Sequence, residues 1–567
     1  MTATKSEDTT YLKRAAEKRA QQLASIPPEW RISPVPSIGS APNALEFIRK
    51  SGLISSDEQS VTEVLDAKVI LDKLASREVS ALDVARAFAK RAAFAHQLTT
   101  CCTEILFEEA FEEAKKLDEF LATTGEVFGP LHGLPVSIKD CLAVKGVDTT
   151  IGWVGLIGKP APEDSNVVAV LRKLGAVPFI KTNVPQSLMV RVDSRLTTPG
   201  ADKVSIKMSD SYNHLFGQCV HSLNRNLISG GSSGGEASLI SFHGSPLGIG
   251  TDIGGSIRIP AALCGLYGLS PSVARHSYPR GGPRQSFVLP TAGPIAPSLV
   301  TIETYMEAFS GARPWEQDPL VSPIPWRREQ CSVPPGKRLR IGYVTDDGVV
   351  KPQPPIVRAI RELVALLLDA GHDVFEWDTS SHAHAWDLFS KAVLSDGGAI
   401  ARGYCELSGE PLIEGMMVGT SKDLLTTAET HQLYAEKYAY EVEYLHRWHA
   451  DGLDALIMPV TPWVGYKPKT WVKSNQYVGY TSVFNLLNWA ALAVPVSTVS
   501  KTADLPIPSD WQTHQPRNPS DEFNKKQYDF DLVEGTPVGV QITCGKHGEE
   551  RCIAIGKTIE NLLKTSA

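Results

Sequence analysis

Short apolar segments of strand length recur along this chain with amphipathic helical segments between them, and that alternation constrains the fold more than any other feature. Residues 134–138 read as a strand running into Lys139 and Asp140. Residues 166–174 read as a helix closed by Gly175, and 176–181 as the next strand. The pattern returns later, with strand 340–344, helix 356–370 and strand 372–376. A long helix at 430–449 precedes strand 455–460, and 494–499 and 538–543 are late strands. Helices placed between strands allow parallel pairing, which a tight hairpin does not. The expected fold class is therefore α/β: one mixed, twisted β-sheet core covered by helices on both faces. The length of 567 residues would by itself suggest several domains. The alternation runs without a break from about residue 61 to 567, so that span reads as one domain. Residues 1–60 read as an arm, with a helix near 11–24 and a linker carrying Pro27, Pro28, Pro34, Pro36 and Pro42. The polar stretch 501–528 is expected to be a surface loop.

Composition removes several function classes. A net charge of -7 over this length gives no electrostatic reason to expect nucleic acid or an anionic membrane as partner. The nine cysteines are scattered with no C-x-x-C spacing, which argues against a zinc ribbon or a redox dithiol and leaves no metal site to propose. Cys264 reads as a small buried side chain. The N-terminus lacks the apolar core of a signal peptide. The most apolar stretch, 483–499, is interrupted by Asn485, Asn488 and Pro495 and is short for a membrane span. It reads as a buried helix running into a buried strand. The expectation is a cytoplasmic protein without stable membrane insertion.

Two Gly/Ser segments carry the chemistry: Gly230-Gly231-Ser232-Ser233-Gly234-Gly235-Glu236 and Gly250-Thr251-Asp252-Ile253-Gly254-Gly255-Ser256-Ile257-Arg258. Such glycines let successive backbone N–H groups converge on an anion or a developing oxyanion. A P-loop would need Lys and Ser or Thr after its last glycine, where Glu236 and Ala237 stand. A dinucleotide fingerprint starting at Gly248-Ile249-Gly250 would need glycine at 253, which is Ile253. Both nucleotide readings fail, and the serine hydroxyls become the reactive candidates.

A serine needs a base, and two arrangements are open. Gly230–Gly234 fits the G-x-S-x-G elbow of an α/β-hydrolase, an esterase-type arrangement with a downstream Asp and one of His382, His384, His449, His514 or His547. The other arrangement uses both Gly/Ser segments with Lys139. A lysine acts as a base only when neutral, so burial must bring its pKa down from about 10.4. A surface ion pair with Asp140 is the alternative role for Lys139.

Gly230–Ala237 together with Gly250–Ser256 resembles the signature of the amidase signature family. So do Gly133-Leu134-Pro135-Val136-Ser137-Ile138-Lys139-Asp140, Thr182-Asn183-Val184-Pro185-Gln186-Ser187 and Thr536-Pro537-Val538-Gly539-Val540-Gln541. The N-terminal Lys18-Arg19-Ala20 and Ile26-Pro27-Pro28-Glu29-Trp30 are similar to fungal acetamidase-type general amidases. The resemblance runs from about residue 60 to the C-terminus. It implies a single amidase-signature domain that hydrolyses a carboxylic amide to the acid and ammonia or amine through an acyl-enzyme. Lys139 would be the base, Ser232 the bridging hydroxyl and Ser256 the nucleophile. The separation of 24 residues between the two serines is the family's usual one. The oxyanion would be held by the N–H groups of Ile253, Gly254, Gly255 and Ser256. Ser233, Asp252 and Arg258 would support the loops. The family implies no metal and no organic cofactor, a small-molecule amide as partner, no nucleic acid, and it admits a homodimer. A non-catalytic or amidotransferase-type subunit is the reading outside simple amide hydrolysis.

The sequence departs from the family at about 191–208, an extra stretch of eighteen residues (RVDSRLTTPGADKVSIKM). It reads either as a surface insertion, which costs little loop entropy, or as a retained intron in the gene model. The two base assignments predict opposite mutant behaviour. With Lys139 as base, Lys139→Ala abolishes hydrolysis and substitution of each downstream histidine leaves it. With a Ser-His-Asp triad, one histidine substitution abolishes hydrolysis and Lys139→Ala retains most of it. Steady-state assays on a chromogenic amide and a matched ester separate them.

Overall fold

The computed structural model describes residues 10–188, 210–278, 286–414, 418–470 and 477–566. The expected insertion at 191–208 lies outside the described residues. The strands are β1 (Cys102–Ile105), β2 (Pro135–Lys139), β3 (Val177–Thr182), β4 (Tyr212–Asn213), β5 (Gly217–Gln218), β6 (Gly248–Asp252) and β7 (Tyr267–Ser270). They continue with β8 (Thr291–Ala296), β9 (Arg340–Tyr343), β10 (Asp373–Glu376), β11 (Ala455–Pro459), β12 (Ala491–Thr498) and β13 (Pro537–Thr543).

Among the described residues, eleven of these strands form one sheet in the order β1-β3-β2-β6-β8-β7-β12-β13-β11-β9-β10, while β4 and β5 form a separate small hairpin. Pairing is parallel at β3-β2-β6 and at β11-β9-β10. It is antiparallel through the middle, from β6 to β8, β7, β12, β13 and β11. The sheet is mixed, as the alternating helices and strands predict.

Strand alternation builds two cores. On β11 and β12, Ala455, Ile457, Leu492 and Val494 pack into one apolar cluster. Their neighbours Leu456, Met458, Ala491 and Ala493 pack into another. Side chains of period two point to opposite faces, so these clusters lie on the two sides of the sheet and helices cover both. β2 follows the same rule. Val136 and Ile138 join the first cluster, which leaves Ser137 and Lys139 on the second face.

The helices obey their capping signals. Ser80 accepts from Asp83 N–H at 3.0 Å and opens helix Ala81–Thr99. Thr426 and Glu429 form a reciprocal capping box at the start of Thr427–Ala450. The apolar stretch at 483–499 is a helix, Gly479–Leu487, feeding strand β12. The polar stretch 501–528 departs from expectation. It holds short helices Lys501–Asp504, Ser509–Gln512 and Pro519–Gln527, anchored by the Arg358–Asp504 ion pair and by the Asn518 side chain accepting from Ser520 and Asp521 N–H. Helices of four to nine residues are too short to show an apolar period, so composition alone reads as loop.

The N-terminal helix Thr10–Ala24 docks beside β1, the outermost strand. Gln22 Nε2 donates to the carbonyls of Cys102 (2.9 Å) and Thr103 (2.7 Å). These contacts satisfy polar groups on an edge that would otherwise invite pairing.

Candidate active site

Lys139 stands at the C-terminal end of β2 and is fully buried. Its Nζ donates to Ser232 Oγ at 2.7 Å, to Thr251 Oγ1 at 2.7 Å and to the Thr251 carbonyl at 3.2 Å. One partner comes from each Gly/Ser segment, so this nitrogen joins the two. Burial lowers the amine to about 8, against the upward pull of Cys141, Asp252 and Glu236. Asp140 faces elsewhere. It accepts from Thr103 Oγ1 (2.9 Å), Thr150 Oγ1 (3.1 Å) and Ile151 N–H (2.6 Å), with Lys181 at 3.7 Å. The surface ion pair between Lys139 and Asp140 is therefore overturned, because both side chains are buried and hold different partners.

Ser232 and Ser256 are 2 % and 6 % exposed, so both are buried. Gly230 (φ +88°) and Gly231 (φ +55°) turn the chain before helix Gly234–Ser241. A Cβ on Gly231 would meet Pro260 Cδ at 2.6 Å and Ser256 Cα at 3.4 Å, which places the Ser232 turn against the Ser256 backbone. Ser233 Oγ lies 3.4 Å from both N and O of Thr251, a second and looser tie between the segments.

Asp252 and Arg258 brace the second segment from inside. The Arg258 guanidinium reaches Asp252 Oδ1 (3.0 Å) and Oδ2 (3.1 Å), Gln541 Oε1 (2.9 Å), Asn485 Oδ1 (2.6 Å) and the Thr481 carbonyl (3.0 Å). Asp252 also accepts from Gly255 N–H at 2.7 Å, Ile257 N–H at 3.1 Å and Asn485 Nδ2 at 2.8 Å. Burial opposes the Asp252 anion, but Arg258 and these donors override it and hold the carboxyl at about 2.

One expectation changes here. The N–H of Gly255 is committed to Asp252, so it is not free to hold an oxyanion. The N–H groups of Ile253, Gly254 and Ser256 make no hydrogen bond within the described residues, and Ile253 and Gly254 are only half-buried. Gly255 serves by its shape. At φ +126° a Cβ would lie 2.3 Å from Thr481 Oγ1.

Among the described residues no histidine bonds to Ser232 or Ser256. His382 pairs with Tyr444 and His514 with Asp521, His384 packs on Tyr440, and His449 is exposed. The backbone N–H of His547 donates to Ser272 Oγ, and burial of its ring lowers its pKa to about 4. Cys264 is buried with its thiol pushed up to about 12, as a small core side chain. Residue patterns alone missed Thr251, Thr481, Asn485 and Gln541. Asn485 did leave a signal, as a polar interruption in an apolar helix.

A family model described as Amidase matches residues 83–553. An acetamidase of Emericella nidulans is 36% identical over 564 residues, covering 97% of each chain. An acetamidase of Aspergillus oryzae is 36% identical over 573 residues, covering 97% of this chain and 98% of the relative. Among solved structures, a fatty acid amide hydrolase superposes with TM-score 0.89 at 29% identity, covering 98% of this chain and 96% of that one. The chain belongs to the amidase signature family, and it is an amide hydrolase.

The brace generates a stability prediction. Arg258→Met strands Asp252 as an uncompensated buried charge and lowers stability by about 3–5 kcal/mol. Asp252→Asn in the same chain recovers part of that loss. Guanidinium denaturation of the wild type and the two variants measures both.

Proposed function

We propose that this amidase works through Ser256 as nucleophile, Ser232 as bridge and Lys139 as base. The observation that carries the proposal is the buried Lys139 amine 2.7 Å from Ser232 Oγ, on a turn lying against the Ser256 backbone. Neutral Lys139 accepts the Ser232 proton as Ser232 accepts that of Ser256. The Ser256 oxygen then bonds to the amide carbon. The carbonyl oxygen takes up negative charge opposite the N–H groups of Ile253, Gly254 and Ser256. Each such donor is worth about 10²–10³ in rate in comparable acyl transfers. The relay runs back to protonate the leaving nitrogen, the C–N bond breaks, and water releases the acid from the acyl-enzyme. The charges this scheme needs come from the chain, so it calls on neither metal nor organic cofactor.

Likeness to two acetamidases supports a small aliphatic or aromatic amide as substrate. The likeness in shape to a fatty acid amide hydrolase keeps longer acyl amides as the second choice. Residues 1–60 are proposed to be an arm seated on the 61–567 catalytic domain, supported by the Gln22 contacts and by Lys18 Nζ at 3.0 Å from Asp148. No helix of the described residues is long and apolar enough to cross a membrane.

A fluorophosphonate should add once to the purified chain, and peptide mapping should place the adduct on Ser256. Ser256→Ala should lose both the adduct and amide turnover, by about four orders of magnitude or more. A folded wild-type protein that takes no adduct would remove Ser256 as nucleophile.

A further inference from the structure

Glu236 sits in the first turn of helix Gly234–Ser241, a place where a carboxylate ordinarily faces water, yet it is fully buried. Two hydroxyls hold it. Thr182 Oγ1 donates to Oε1 at 2.7 Å, and Ser137 Oγ donates to Oε2. Both donors are neighbours of Lys139 in the sheet. Ser137 precedes it by two residues on the same face of β2, and Thr182 is its registered partner on β3. β6 makes room for the carboxylate with a glycine. A Cβ at Gly248 would lie 2.0 Å from Glu236 Oε2 and 2.7 Å from Ser137 Oγ. No step of the proposed reaction uses this acid, and a buried ionisable group without a task is costly.

We propose that Glu236 is a positioning residue for amide hydrolysis: it ties the helix entered from Ser232 to the strand bearing Lys139, and its charge is one of those that raise the pH at which Lys139 becomes a base. This rests on the reading of Lys139 as the base. The groups facing Glu236 are Lys139 from β2 and the Cys102 thiol from β1. Those facing Lys139 are Asp252 at the end of β6, Cys141 just after β2, and Glu236 itself. Burial raises Glu236 to about 7, and burial lowers Lys139 to about 8 against an upward pull that Glu236 shares with Cys141 and Asp252. An ionised Glu236 favours the ammonium. Without that charge Lys139 gives up its proton more readily, and activity extends to lower pH.

The test is the pH dependence of fluorophosphonate labelling of Ser256. Glu236→Gln keeps the shape, since its amide donates to Ser137 Oγ while that hydroxyl turns to the Leu247 carbonyl, 3.4 Å away. The acidic limb should move down by about half a pH unit or more. Thr182→Val should move it the same way, because a carboxylate that loses a donor takes up its proton more easily. A purely structural role would slow labelling at every pH and leave the limb in place, and that result overturns the proposal. If Glu236→Gln does not fold, Thr182→Val decides alone. Lys139→Ala should lose the limb. If it keeps the wild-type limb, Lys139 is not the base, and both the reading and the proposal fall.

Discussion

A lysine amine held away from water beneath two serine-bearing turns is the constraint on which this structure turns. An ammonium without hydration needs acceptors in every donating direction. The fold supplies Ser232, Thr251 Oγ1 and the Thr251 carbonyl at 2.7, 2.7 and 3.2 Å. Because these acceptors come from both Gly/Ser segments, the interaction that satisfies the lysine also registers the two turns against each other. The same burial that demands the acceptors brings the amine towards neutrality, so one arrangement serves both the packing and the proposed base chemistry.

The sheet places that amine by parity. Val136 and Ile138 face one core and Ser137 and Lys139 the other, so a one-residue slip of β2 would exchange a lysine for an isoleucine in the site. Arg258 fixes the second turn in a different way. Its partners span Asp252, Thr481, Asn485 and Gln541, so helix Gly479–Leu487 and strand β13 hold the loop that carries Ser256. The brace leaves the N–H groups of Ile253, Gly254 and Ser256 without a hydrogen bond within the described residues. That is the form of donor set the proposed oxyanion binding calls for.

The alternation of strands and helices made the mixed sheet legible from sequence, because both periods are local. The resemblance carried by both Gly/Ser segments and the Lys139 motif groups Lys139, Ser232 and Ser256, and the structure brings Lys139 against Ser232 and the Ser232 turn against the Ser256 backbone. The parts that were not legible depend on pairing across the chain. The commitment of the Gly255 N–H to Asp252 depends on loop geometry that glycine spacing does not encode. The burial of Glu236 depends on Ser137, Thr182 and the absence of a side chain at Gly248, which lie on three strands. Asn485 showed only as an interruption in an apolar run, and its partners Asp252 and Arg258 lie more than two hundred residues away. The helices within 501–528 were hidden by their polar composition.

The state of the Lys139 amine is the most direct measure of this account. Enrichment of the chain with lysine labelled at the ε-carbon, with the Lys139 signal assigned by its loss in Lys139→Arg, allows that amine to be titrated by nuclear magnetic resonance. The account predicts a midpoint at about 8. A midpoint at the ordinary lysine value of 10.5 would mean that the amine stays charged near neutral pH, and would contradict Lys139 as the base.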